Sequence, residues 1–328
     1  MRFLLTGEQR EFARSLDALL TAADTPAVVR AWAAGDHGPG LDLWRRLAEA
    51  GVFALAVPEA YGGAGPLPVE TAVAFVELGR HGVPGPVVES VAVAVLLGAV
   101  GGPAAEEWLP RIADGTAVTS LVLEAYGPYA LDAVVAEAVF VVTGDELRLT
   151  RDPGKPMTSM DPARRLFRPA AGGEVVASGA RVREAAGAAG TWATFATAAQ
   201  ALGCGEALLR ATVAYVKQRI QFGAPVGSFQ AVKHRLADTL LGLEFARPLL
   251  YGAAVELAED APGAGAAVAA AKVAAGEAAY AAARTALHLH GAVGYTEELD
   301  LAWWLRRARP LRDAWGTPSA CRARVLEG

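Results

Sequence analysis

The run from Arg219 to Gln230 carries the residues best equipped for chemistry. Arg219 ends a stretch of helical character and offers a planar, permanently charged fork, which suits a pyrophosphate gripped through two parallel hydrogen bonds. Gly223 and Pro225 break the helix and let backbone come close to a ligand. Phe222 offers a flat apolar face, Gln221 stands beside it in the same turn, and Gln230 supplies both a donor and an acceptor. On spacing alone, the same run also fits a bare helix–turn–helix corner with a surface arginine. Further along, Gly291 and Gly294 would let backbone approach an adenine or a phosphate. His288 and His290, two apart, point to different faces of a helix and make a poor metal pair, so no metal site is expected. A packed or capping role suits at least one of them.

The elements that must position these residues follow from hydrophobic spacing. Thr6 reads as an N-cap with Gln9 as its capping-box partner, and Phe12, Leu16, Leu19 and Leu20 then recur at helical spacing. A second helix carries Trp44, Leu47 and Ala48 and stops at Gly51, the run from Val57 to Gly65 turns, and Glu70–Gly79 is helical again. Residues 119–184 change character: short β-branched runs separated by Gly, Pro and Asp predict a small antiparallel sheet. From 185 to the end, long Ala-rich helical runs return, broken at Gly223, Pro225 and Gly227 and again at Pro262, Gly263 and Gly265. The order helices, strands, helices gives an α+β chain, mostly helical, with a helical domain over 1–118, a small β domain over 119–184 and a helical domain over 185–328.

Composition narrows the function. The chain has 328 residues, is 53% hydrophobic and 20% charged, and carries a net charge of -5, so it is globular and offers no basic run for nucleic acid. Residues 185–205 are uncharged but rich in Ala, Gly and Thr, which predicts a helix buried on all sides and not a membrane span. Cys204 and Cys321 match no metal spacing and read as reduced thiols of a cytoplasmic protein. The opening MRFLLTGEQREFARSL turns charged too early for a signal peptide.

Arg219-Ile220-Gln221-Phe222-Gly223-Ala224-Pro225 followed by Phe229-Gln230-Ala231-Val232-Lys233-His234-Arg235-Leu236-Ala237-Asp238 resembles the signature of acyl-CoA dehydrogenases. His290-Gly291-Ala292-Val293-Gly294-Tyr295-Thr296-Glu297-Glu298 resembles a second one, in the right order, and the Val57–Gly65 turn also fits. The resemblance implies FAD as cofactor, an acyl-CoA thioester as substrate, α,β-desaturation as reaction and a C-terminal four-helix-bundle-like domain. It implies cofactor contacts at Arg219, Gln221, Phe222, Gln230, His288, Gly291, Ala292 and Gly294. His288 stands where the family usually has Gln, and Ala292 where it has Gly.

The resemblance also exposes a gap. The reaction needs a base for the α-proton, a carboxylate in this family. Trp315 stands where that Glu is commonly found, in Ala314-Trp315-Gly316-Thr317, and Trp cannot take a proton. The alternative position falls near Ala193 and Thr194. Asp238 and Glu244 read as solvent-facing or ion-paired, Glu244 with Arg247, and Asp313 remains an outsider. The loops that cover the flavin ring in the family are also missing, with Leu123-Glu124-Ala125-Tyr126-Gly127-Pro128 in place of one of them. In the family, the retained motifs reach across a dimer interface to a neighbour's flavin. The resemblance therefore implies the non-catalytic subunit of a heterotetramer, active with a homologous dehydrogenase chain and with electron-transferring flavoprotein as acceptor. A homomeric enzyme with an unplaced base and a non-redox CoA-thioester binder are the alternatives.

Overall fold

The computed structural model describes residues 4–170, 172–296 and 298–327. Helices α1 (Gly7–Ala22), α2 (Thr25–Ala34), α3 (Gly38–Glu49), α4 (Pro68–Arg80), α5 (Val87–Val100) and α6 (Gly102–Ala113) come first. Strands β1 (Thr119–Leu123), β2 (Ala130–Leu131), β3 (Ala138–Thr143), β4 (Glu146–Thr150), β5 (Lys155–Met157), β6 (Leu166–Arg168) and β7 (Glu174–Ser178) follow. The long α7 (Ala180–Gln218), the hairpin strands β8 (Ile220–Gln221) and β9 (Ala224–Pro225), and helices α8 (Gln230–Ala258), α9 (Ala264–His290), α10 (Leu301–Asp313) and α11 (Pro318–Glu327) complete the chain. The α+β, mostly helical reading holds, and no helix among the described residues is long and apolar enough to cross a membrane.

The helix starts are written locally. Thr6 Oγ1 accepts from the Gln9 amide at 3.1 Å and Gln9 Oε1 accepts from the Thr6 amide at 2.9 Å, the expected capping box of α1. α7 reads as expected over its middle, buried on every face from Trp192 to Gly205.

Two compact units form. One comprises Ala27–Thr71 and Pro84–Ala196. Its four-stranded sheet runs β1-β3-β4-β7, with a three-stranded sheet β2-β6-β5 beside it. The expected antiparallel sheet is corrected in one place, since β1 and β3 pair in parallel, Thr119 opposite Ala138 through Leu123 opposite Val142. The stretch 124–137 makes this possible, because it returns the chain to the start of β1 by way of β2 in the second sheet. Trp108 of α6 meets Phe140 of β3 edge to face, and Val122, Ala130, Ala133, Val139 and Phe167 fill a core between the strands.

The other unit comprises Met1–Pro26, Ala72–Val83 and Thr197–Gly328. α9 is its centre, packed on α8, α10 and α11. Ala271, Ala275, Ala279, Ala282 and Ala286 are buried along it, and such small side chains let helix axes approach closely. A charged cluster lies inside this unit. Arg80 binds both Glu77 and Glu206, and Arg247 binds Glu206 and Glu244 at 3.0 Å each. Burial raises Glu77 above the usual carboxylate range in spite of Arg80. Breaking such a pair strands a buried charge, at about 3–5 kcal/mol.

Candidate functional site

α7 ends at Gln218, and the Arg219 amide donates to the Tyr215 carbonyl at 2.9 Å. The chain then forms the hairpin β8–β9, closed by the Val226 amide on the Arg219 carbonyl at 2.8 Å. Its two turn residues, Phe222 and Gly223, have φ of 53° and 77°. Positive φ at both positions is the twist that two-residue hairpins favour, but for Phe222 it is a strained conformation. The turn holds the Phe222 ring 95% exposed, with its nearest ring contact edge-on to Phe229 at 6.4 Å. Arg219 is exposed, and among the described residues its guanidinium has no hydrogen-bond or carboxylate partner. Gln221 donates to its neighbour's carbonyl, and Gln230 is exposed at the start of α8.

The second motif sits at the end of α9. The His290 ring stacks on Tyr215 with centroids 4.1 Å apart, and its Nδ1 pairs with the Ala286 carbonyl at 2.8 Å. That stack joins the two motifs, because Tyr215 lies one helical turn before Arg219. The packed role expected of one histidine thus falls to His290, while His288 is exposed. Gly291 ends α9 at φ 62° with open space around it, and Ala292 is exposed beside it. Gly294 is buried, and a methyl there would crowd His290 and Leu287. Glu297 lies outside the described residues.

Trp315 follows α10 in the left-handed region, φ 52°, with its side chain half-buried. Asp313 is exposed at the end of α10. Ala193 and Thr194 are both buried within α7, and Thr194 Oγ1 donates to the Gly190 carbonyl at 2.8 Å. Asp238 is exposed, and Glu244 is held by Arg247 as the sequence predicts. In the other unit, Glu124–Tyr126 forms a tight turn after β1, and Tyr126 lies against Gly190 so closely that a Cβ there would sit 2.6 Å from the ring. Asp161 is buried in a turn, its carboxylate accepting from the Ala163 amide at 2.9 Å.

Asp17, Glu77 and His81 bring ligand atoms within 4.8 Å of one another, but these atoms are already engaged. His81 Nε2 pairs with Asp17 at 2.8 Å and Glu77 holds Arg80. Burial lowers the His81 pKa. Two positions that no motif marks join the picture: Tyr215, whose only signal is its place four residues before Arg219, and Lys272, the one lysine of the Ala-rich α9.

Comparison with known proteins gives the class to which this architecture belongs. Residues 6–116 match the model of the acyl-CoA dehydrogenase N-terminal domain and residues 185–327 that of the C-terminal domain. The chain belongs to the acyl-CoA dehydrogenase family, whose cofactor is FAD. It is 38% identical over 305 residues to acyl-CoA dehydrogenase IpdE2 of Mycobacterium tuberculosis, covering 92% of this chain and 91% of the relative. It is 31% identical to IpdE2 of Mycolicibacterium smegmatis, covering 95% and 96%. Among solved structures it is similar to a chain of the ChsE4-ChsE5 complex from Mycobacterium tuberculosis, with TM-score 0.85 and 27% identity over 100% of this chain and 98% of that one.

Proposed function

We propose that this chain is the subunit of a heteromeric acyl-CoA dehydrogenase that lacks the catalytic base and contributes contacts to the adenosine and pyrophosphate end of FAD. The observation that carries the reading is Phe222, an almost fully exposed ring in a strained turn beside Arg219, whose guanidinium has no partner among the described residues. A strained, bare aromatic persists where it has a partner to meet. The residues present fit FAD. Arg219 supplies a free fork for the pyrophosphate, Phe222 a face for a flat ring, and Gln221 and Gln230 exposed amides. Gly291 and Ala292 offer open backbone with His288 beside them, and Gly294 contributes the close packing of that end. Bound FAD would accept the hydride from the β-carbon of the thioester.

The subunit role rests on what stands at the base positions. Trp315 has no proton-accepting atom, and Ala193 and Thr194 are buried without a carboxylate. Exposed Leu241, Phe245 and Leu249 recur at helical spacing on α8, with Leu240 beside them, an apolar stripe suited to a second dehydrogenase chain. The structurally similar ChsE4-ChsE5 protein is itself a complex of two chains. The partner supplies the base and the ring pocket, and an electron-transferring flavoprotein takes the electrons. The test is the visible spectrum of this chain purified alone and with the product of an adjacent dehydrogenase-like gene. Flavin bands only in the co-purified complex support the reading. A yellow, active protein from this chain alone overturns it in favour of a homomeric enzyme whose base is Asp313 or another group. No flavin in either preparation overturns it in favour of a non-redox thioester binder.

A further inference from the structure

Lys272 is 1% exposed in the middle of the bundle, and its ammonium donates to two backbone carbonyls. Nζ donates to the Arg312 carbonyl at 2.7 Å and to the Gly316 carbonyl at 3.1 Å. These two carbonyls bracket the turn that carries Trp315. Arg312 lies in the last turn of α10, where carbonyls lack helical partners and the helix dipole favours a cation. An ammonium taken out of water costs several kcal/mol unless it finds such acceptors.

Lys272 does not act alone. Gly276, one turn on, lets α9 come so near that a Cβ would sit 3.3 Å from the Arg312 Cα. Tyr280, one turn further, has the Arg312 guanidinium 5.2 Å from its ring centre. Lysine, glycine and tyrosine at i, i+4 and i+8 form one face of α9, and all three bear on the same end of α10. Beyond it, the Ala314 amide closes on the Pro310 carbonyl at 2.8 Å, Trp315 and Gly316 take φ of 52° and 123°, and Thr317 Oγ1 accepts from the Ala320 amide at 3.3 Å to start α11. A tryptophan in the left-handed region is held there by its surroundings and not by its own preference.

We propose that Lys272 is the positioning residue of this turn: its buried ammonium, clasping the carbonyls on either side, holds the Trp315 backbone in its left-handed conformation. The turn is thus a fixed frame for whatever side chain stands at 315. That this is the frame of a lost base rests on the subunit reading proposed above; the clasp itself does not.

The test uses the full chain labelled with 5-fluorotryptophan, the Trp315 resonance being assigned by Trp315→Phe. In Lys272→Met, the Trp315 resonance shifts or broadens while those of Trp32, Trp44 and Trp108 hold. Amide exchange over 313–317 rises about tenfold or more, the loss expected of hydrogen bonds to a charged group. Lys272→Gln, whose amide can reach one carbonyl at a time, falls between the two. An unmoved resonance and unchanged exchange in folded Lys272→Met overturn the proposal, as does an equal change throughout the chain. Where Lys272→Met does not fold, Lys272→Gln decides by the same criteria. No flavin and no second chain enter the readout, so it fails separately from the subunit reading.

Discussion

Phe222 and Trp315 adopt the same uncommon backbone conformation, φ 53° and 52°, in opposite surroundings. Phe222 stands bare at the tip of a two-residue hairpin, beside an arginine with no partner among the described residues. Trp315 is half-buried in a turn clasped from below by Lys272 and flanked by the end of α10 and the start of α11. Strain in the first case meets no compensating contact among the described residues, and in the second it is opposed by two hydrogen bonds from a buried ammonium. The difference separates two ways of using an unfavourable conformation. One leaves a side chain displayed at the surface, and the other fixes a half-buried turn.

The largest effect expected falls on the displayed side. Arg219→Ala in the complex with its partner chain weakens flavin retention by about tenfold to a hundredfold, the range for charge-assisted hydrogen bonds to an anion. Dilution followed by flavin fluorescence measures it. Because Arg219 is exposed and has no partner among the described residues, the melting temperature of this chain alone stays unchanged. A fall in melting temperature with flavin retention intact would mean that the hairpin is an ordinary surface corner.

The break after Arg219 was legible in the sequence, while the hairpin that fills it and the clasp were not, for a physical reason. Arg219, Phe222, Gly223 and Pro225 are neighbours along the chain, so their types and spacing carry the break directly. The capping box at Thr6 and the pairing of Glu244 with Arg247 were legible for the same reason, each depending on residues three apart. Lys272 and Gly316 are brought together only by the packing of α9 on α10, which no periodicity encodes. The parallel pairing of β1 with β3 was illegible likewise, since strand direction is set by the route of the chain between strands and not by the strands themselves. At Gly294 the glycine alone does not reveal the packing around it, which comes from His290 and Leu287 in the folded chain.

The comparison breaks or holds on one substitution made twice. Glycine adopts positive φ freely, so Phe222→Gly relieves strain at little packing cost and stabilises this chain by up to about 1 kcal/mol, while flavin retention in the complex falls. Trp315→Gly relieves similar strain but removes a half-buried ring, whose truncation costs more than the relief returns, a net loss of about 1–2 kcal/mol. Chemical denaturation of the two variants gives opposite signs if the two conformations serve the ends described. Equal signs would mean that the surroundings of the two residues matter less than the backbone they share.

The smallest effect sharpens the displayed side alone. Burial lowers the pKa of His290, against the opposing pull of its bond to the Ala286 carbonyl. The folded chain therefore binds this proton less readily than the unfolded chain, whose histidine titrates near 6.5. Above that pH both forms are neutral and the group contributes nothing to pH dependence. As the pH falls below it, the unfolded chain takes up the proton first and stability drops, levelling off once the folded form is protonated too. His81 and His37 share the direction, both lowered first by burial, while burial pushes the Asp132 carboxyl up to about 7 and acts the opposite way, so the whole-chain profile mixes these groups. His290→Phe keeps an aromatic ring for Tyr215 and removes only this titration. Its unfolding free energy should fall less than that of the parent chain between pH 8 and pH 5. In the complex, the acid-induced loss of flavin should shrink with it, because the Tyr215–His290 stack joins the end of α9 to the turn before Arg219. A variant whose stability follows the parent's pH profile, with flavin loss unchanged, would show that the stack does not connect the two motifs energetically, and that each meets the cofactor on its own.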